Sequence, residues 1–121
     1  MKEKAFNLEA RLIAFAVRII RMAEALPKTP SGSHIRGQLL RSGTSPAPNY
    51  GEAQSAESRD DFTHKLKVVL KELRETRVWL LMIQQADIIK YMAELEALLH
   101  ETNELIAIFV ASLKTTAKGS S

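Results

Sequence analysis

The first regular hydrophobic pattern in the chain predicts a helix over residues 7–25. Two apolar stripes follow the helical repeat there: one is Phe6, Ala10, Ile13, Val17 and Ile20, and the other is Leu8, Leu12, Phe15, Ile19, Met22 and Leu26. A helix packed on one core needs an apolar arc of little more than ~100°. We therefore predict that this helix contacts both its own core and a second surface, with Phe15 as an interface or core anchor.

The second predicted helix, over residues 33–57, contains two prolines. The segment LPKTPSGS ends the first helix, and Ser33 is a candidate N-cap because its hydroxyl can accept a bond from the first turn. Pro46 and Pro48 lack a backbone N–H and collide with the preceding turn. Because helix-forming composition resumes after them, we predict a kink near residues 46–48 rather than a loop.

Two further amphipathic helices are predicted over residues 58–85 and 90–114, followed by a frayed polar tail over 115–121. Ser58 and Asp61 have the spacing of a capping box at the start of the first of these. Heptad spacing then continues through both helices, at Phe62, Leu66, Val69, Leu73, Thr76, Leu80 and Ile83, and at Met92, Leu95, Leu99, Thr102, Ile106, Phe109 and Leu113.

Four amphipathic helices with short connections and no strand pattern predict an all-α fold. Such a pattern is typical of an antiparallel up-down-up-down four-helix bundle. The length of 121 residues fits a single domain, residues 1–121. We expect this one bundle to hold the whole hydrophobic core.

The composition of the chain limits both its expected cellular compartment and the kinds of chemical site it can form. The chain has no Cys, which excludes disulfides, thiolate metal sites and a Cys nucleophile. Its longest apolar stretches free of charge, at 78–86 and 105–113, fall well below the ~18 residues needed to span a bilayer. The N-terminal residues mix basic and acidic side chains and lack the apolar segment of a secretory signal. We therefore predict a cytoplasmic protein without a membrane partner.

Charge is distributed unevenly along the chain. Residues 1–45 contain eight Lys or Arg against three acids, hence +5, whereas residues 87–121 contain three bases against five acids, hence −2. A basic excess of this kind can bind the phosphates of nucleic acid, although it is also common on an ordinary solvated face. The candidate nucleic-acid contacts are Arg11, Arg18, Arg21 and Arg36.

No pattern in the chain indicates catalysis or a cofactor. A di-metal bundle site requires two Glu-x-x-His pairs, whereas Glu96, His100 and Glu104 are spaced by four and are typical of surface pairs on a helix. His34 and His64 lie on other predicted helices. Neither a serine nucleophile elbow nor a phosphate-binding glycine loop is present. We predict no enzyme activity, no cofactor and no metal.

The central segment LLRSGTSPAPNYGEAQSAESRDDFTHKLKVVLKELRETRVWL carries a family resemblance. It resembles the four-helix-bundle proteins encoded in intervening sequences of bacterial 23S ribosomal RNA genes, most specifically between Gln38 and Leu81. The shared motif positions are Arg41, Ser42, Asn49, Glu52, Ala53, Ser58, Asp61, Phe62, Lys71, Glu72, Glu75, Trp79 and Leu80.

The resemblance implies a ring-shaped homo-oligomer, a pentamer being favoured, with no defined function. The chain is also distantly similar to the accessory variability proteins of diversity-generating retroelements. Those proteins form pentameric barrels and bind a reverse transcriptase and nucleic acid. A functional inference from such a likeness is analogy.

The polar motif residues have two interpretations. We interpret them as structural, with Arg41 and Lys71 pairing with acids across the second and third helices; the alternative is a polar groove for a ligand. Trp79 is interpreted as a core or interface anchor rather than a platform for bases. The full set is Arg41, Asn49, Glu52, Lys71, Glu72 and Glu75.

These observations together predict a non-enzymatic, homo-oligomeric interaction module that binds nucleic acid through a basic face. The alternative is a protein-binding or structural scaffold, such as an accessory subunit of a nucleic-acid-processing partner, that does not touch nucleic acid. Steep salt dependence of RNA and DNA binding distinguishes the two.

Overall fold

The protein is described here by a computed structural model, which covers residues 7–119 and the side chains of residues 7–117. Phe6, assigned above to the first apolar stripe, lies outside these residues. Within residues 7–119 the chain forms α-helices and no strand. The helices are α1 Leu8–Glu24, α2 Pro30–Thr44, α3 Pro46–Gln54, α4 Arg59–Ala86 and α5 Met92–Gly119.

α2 and α3 form one broken helix, so the chain is a four-helix bundle. Only Ser45 separates them, and its backbone dihedrals of φ −73° and ψ −36° are helical. Pro46 donates no hydrogen bond to the preceding turn. The side chain of Asn49 bonds the carbonyl of Ser45 at 3.0 Å, and the hydroxyl of Thr44 bonds the carbonyl of Leu40 at 2.5 Å. The helix is therefore broken at Ser45, immediately before the residues where the kink was predicted, and local side chains bond carbonyls near the break.

The helix ends follow capping chemistry, with one difference from the sequence prediction at the start of α2. Ser58 accepts a bond from the amide of Asp61 at 3.0 Å, as predicted. α2 begins at Pro30 rather than near Ser33, because Thr29 accepts a bond from the amide of Gly32 and proline suits the first helical turn.

The last helix is longer than its hydrophobic pattern indicated. α5 continues to Gly119, through residues predicted to be a frayed tail. The hydroxyl of Thr115 bonds the carbonyl of Ala111 at 3.1 Å. A Thr hydroxyl within a helix commonly bonds the carbonyl four residues earlier in this way.

The core joins one stripe of α1 to the seams of α4 and α5. Leu12, Phe15 and Ile19 are at most 1% exposed, so Phe15 is a core anchor rather than an interface anchor. The predicted seam of α4 is buried from Leu66 to Ile83. In α5 the buried positions are Leu95, Leu98, Thr102, Leu105 and Phe109.

The α5 seam corrects the sequence prediction at two positions. Leu98 and Leu105 are fully buried, whereas the predicted Leu99 and Ile106 are only partly buried. Each buried residue has an apolar neighbour next to it in the sequence. Either member could continue a heptad, so the pattern alone does not decide which one faces the core.

α1 and α2 lie close together at a glycine. A methyl group added at Gly43 would lie 2.6 Å from Cγ2 and 2.8 Å from Cγ1 of Ile19. Beside it, the hydroxyls of Ser42 and Thr76 are fully buried and 3.0 Å apart, joining α2 to α4. Among the described side chains, no buried polar atom lacks a hydrogen-bond partner.

We expect Gly43→Ala to lower the free energy of unfolding and Gly37→Ala to raise it. Overpacking against the stiff side chain of Ile19 costs about 1–3 kcal/mol, more than the gain in helix propensity. At Gly37 a methyl group would meet no atom within 4 Å, so only the gain of up to ~1 kcal/mol remains. Urea unfolding followed by circular dichroism measures both. Equal shifts in the same direction would contradict the close approach.

Candidate interaction sites

Arg41 links α2 to α4 through two carboxylates. Its Nη1 lies 3.2 Å from Oε1 of Glu72, and its Nη2 is ion-paired with Glu75 and 3.2 Å from Oε1 of Gln38. The Glu72 side chain is only 13% exposed, so this ion pair is partly removed from water. The prediction that Arg41 pairs across these helices is confirmed.

Trp79 continues this polar cluster by one turn of α4. Its indole Nε1 donates to Oε2 of Glu75 at 3.0 Å, and its ring meets His34 edge-on at a centroid distance of 5.8 Å. The ring is half-buried against the core. Trp79 is thus positioned at the margin of the core, where its N–H has a partner.

The other predicted members of the polar set lie apart from this cluster. Asn49 bonds only Ser45, one turn earlier. Glu52 pairs with Lys65 at 2.5 Å, and this hydrogen bond raises the pKa of Lys65. Lys71 is exposed and makes no ion pair with the described side chains, so its predicted pairing is wrong. The lysine of α4 that pairs with Glu52 is Lys65, which lies nearer the start of the helix than Lys71.

Two of the predicted nucleic-acid contacts bind the acidic last helix of the same chain. Arg11 forms two 2.8 Å bonds to Glu101 and a third to Glu104. The hydrogen bond that Arg11 donates to Glu101 is the largest cause of a raised pKa at Arg11, so the guanidinium stays charged. Arg18 is 3.1 Å from Glu94. Part of the charge asymmetry in the sequence is therefore compensated within the fold.

Arg36 and Arg21 have contrasting environments. The guanidinium of Arg36 donates to the carbonyls of Ala23 at 3.1 Å, Leu26 at 2.9 Å and Pro27 at 3.2 Å, and so caps the end of α1. Arg21 is exposed and makes no ion pair with any described side chain. The four predicted arginines do not form one open basic face.

The first stripe of α1 forms an apolar face turned away from the core. Ile13, Val17 and Ile20 are 51%, 39% and 42% exposed. The double stripe in the sequence indicated a second surface, and these residues are its exposed part. We call them the α1 outer face.

α4 has an outer face that the sequence analysis missed. Val78 and Met82, one turn apart, are both 45% exposed. The sequence did contain a signal for this face, because basic residues recur at spacings of three and four, which places them on the same side of the helix. These bases, all without an ion pair to a described side chain, are Lys67, Lys71, Arg74 and Arg77. We call the six residues together the α4 outer face.

Histidine and acidic side chains form no metal-binding group among the described residues. His100 lies 3.0 Å from Glu104, one turn away on the surface of α5. This is the helix-surface pair that the spacing predicted. None of the described helices is long and apolar enough to cross a membrane.

We expect Arg41→Gln to lower the free energy of unfolding by about 1 kcal/mol, because it removes the charge partner of Glu72 and Glu75. Lys71→Gln is the matched control, since Lys71 loses no ion pair, and its effect stays within about 0.5 kcal/mol. Chemical unfolding of both variants measures the difference. A larger loss for Lys71→Gln would contradict this account of the cluster.

Comparison with known proteins identifies the family. Residues 6–111 match the family described as 23S rRNA-intervening sequence protein. A crystal structure of a protein with unknown function from the S23 ribosomal protein family of Bacteroides thetaiotaomicron superposes with a TM-score of 0.80. The two chains are 32% identical over 88% of this chain and 97% of the other. No curated protein matches the chain. The chain therefore belongs to the 23S rRNA-intervening sequence protein family.

Proposed function

We propose that this protein is a non-enzymatic interaction module that assembles with copies of itself. The observation that carries the proposal is the α1 outer face, where three large aliphatic side chains are 39–51% exposed. Contiguous apolar surface of this kind typically marks an interface. A ring is the proposed form, and a pentamer is the size that the family resemblance implies.

A second copy fits the α1 outer face by charge as well as by polarity. Glu9 and Glu24 flank that face, are exposed, and make no ion pair with a described side chain. The α4 outer face combines Val78 and Met82 with four unpaired bases. Apolar centres with opposite charges at their edges suit each other. Contact between two different faces of successive copies is heterologous, and closes into a ring when the rotation allows.

We also infer that neighbouring helices run antiparallel. Arg11 of α1 pairs with Glu101 of α5, and Arg18, further along α1, pairs with Glu94, which comes earlier in α5. The connections between successive long helices are short, at residues 25–29, 55–58 and 87–91. Both features support the up-down-up-down arrangement of a bundle.

Nucleic acid is the proposed ligand of the assembly, supported by exposed bases without a counter-charge. Symmetric repetition would multiply them and add avidity. Because Arg11, Arg18 and Arg36 make contacts within the fold, binding falls to Arg21 and to bases outside the original prediction. The contact between copies proposed above covers the bases of the α4 outer face, so nucleic acid would bind at Arg21 and at bases outside that face. A scaffold without nucleic-acid contact is the alternative.

We expect light scattering coupled to size exclusion to give a mass that is a multiple of 13.5 kDa at micromolar concentration. The double variant Ile13→Glu, Ile20→Glu should lower that mass, because it buries two charges in the contact. Ala107→Glu is the matched control, since Ala107 is an exposed helical position on α5. A 13.5 kDa wild-type protein, or a double variant that keeps the wild-type mass, would defeat the proposal.

We expect the assembly to bind single-stranded RNA and duplex DNA with little sequence preference and steep salt dependence. The logarithm of the binding constant should fall by ~0.7–0.9 per log unit of salt for each phosphate contact. Anisotropy titrations at about 50 mM salt provide the measurement. Absence of binding at tens of micromolar protein would leave the scaffold alternative.

A further inference from the structure

A cleft opens where the second half of α1 meets the start of α5. It has a volume of about 410 Å³, within the range of ligand pockets. Its walls are Arg18, Arg21, Met22, Ala25, Tyr91 and Glu94. A second cleft of about 380 Å³ adjoins it and shares Ala25 and Tyr91, with Pro27, Ile88 and Lys90 completing the lining. The two clefts form one groove that passes Tyr91.

Tyr91 is the most exposed large apolar side chain among the described residues, at 64%. Its backbone is fixed, because its carbonyl accepts a bond from the amide of Leu95 at the start of α5. Met22 and Ala25 provide apolar surface beside it. An aromatic ring that is open to solvent beside apolar surface, on a fixed backbone, is suited to stacking on another planar group.

Spare positive charge lies on both sides of this ring. Arg21, in the first cleft, and Lys90, in the second, are exposed and make no ion pair with the described side chains. The acid in the groove, Glu94, is already paired with Arg18 at 3.1 Å. The groove therefore has an aromatic centre between two free cations, a combination suited to a planar group with anions on either side.

We infer that this groove binds one unpaired nucleotide of a single-stranded nucleic acid, with Tyr91 stacking on the base and Arg21 and Lys90 contacting the flanking phosphates. The inference rests on the nucleic-acid binding proposed above and names its site. An aromatic platform beside basic side chains is how proteins hold single strands with little regard to sequence. A base inside a duplex is already stacked on its neighbours, so duplex DNA cannot use Tyr91.

The test uses the assembled protein and fluorescein-labelled oligouridine and oligothymidine of about 15 nucleotides, with a duplex of equal length for comparison. We expect Tyr91→Ala to weaken single-strand binding by about 5- to 150-fold. Tyr91→Phe should bind like the wild type, and duplex binding should be unchanged in both variants. Because Tyr91 is exposed, the variants should keep the wild-type melting temperature.

A matched lysine pair tests the charges. Lys90→Gln should weaken single-strand binding and reduce the salt slope by about 0.7, the value for one phosphate contact on a single strand. Lys114→Gln, an exposed and unpaired lysine in the last third of α5, should change neither. Equal effects of the two substitutions would show that only overall charge matters and would overturn the groove as the site.

Photocrosslinking locates the base directly. Oligouridine containing 5-iodouridine should give an adduct at Tyr91 after irradiation, identified by mass spectrometry. Adducts elsewhere, with Tyr91→Ala binding as well as the wild type, would overturn this site and leave nucleic-acid binding intact. A lower oligomer mass for Tyr91→Ala would show instead that the groove is a contact between copies. No binding of any oligonucleotide by the wild type would overturn the proposed nucleic-acid binding itself.

Discussion

The bundle depends on three consecutive residues of α2 that contact the neighbouring helices. Gly43 lies against Ile19 of α1 with no room for a methyl group, and Ser42 meets Thr76 of α4 inside the core. Arg41 binds the acids of α4 from the surface. Rotation of α2 about its axis would disturb all three contacts together, because Gly43 lies against α1 while Ser42 and Arg41 contact α4. This short segment therefore sets the orientation of the helix at the centre of the family motif.

The break after this segment allows the chain to keep a second set of contacts. A straight helix would carry the residues after Ser45 along the axis of α2. With Pro46 at the break, Ala47 and Ala53 of α3 are buried in the core, and Glu52 reaches Lys65 near the start of α4. Small side chains at the buried positions let the backbone of α3 lie close to its neighbours. Glu52 then adds a charged contact between α3 and α4 at the surface.

Periodicity in the sequence was sufficient to predict which faces are apolar, but not which atoms meet. The two stripes of α1, the seam of α4 and the Ser58 cap follow from local spacing and were predicted. The choice of Leu98 over its neighbour depends on how α5 is rotated against the other helices. The pairing of Glu52 with Lys65 depends on axial register, to which a hydrophobic pattern is insensitive.

At the candidate site, too, the sequence indicated the distribution of charge but not the contacts that the charged side chains make. Charge counting indicated a basic first half, but it could not show that Arg11 and Arg18 would meet acids some 75 to 90 residues away in the same chain. Tyr91 carried no signal, because a single aromatic residue in a short loop has no period. Its exposure is a property of the folded surface alone.

The cap that Arg36 places on α1 has a consequence for how copies can associate. Exchange of α1 between subunits, a domain swap, requires the connection at residues 25–29 to straighten. The guanidinium of Arg36 donates hydrogen bonds to three carbonyls at that bend, those of Ala23, Leu26 and Pro27. Straightening the connection would remove this charged donor from all three. Arg36 of α2 therefore holds the end of α1 of the same chain. We therefore expect any assembly of this chain to form between folded bundles that keep their own first helix.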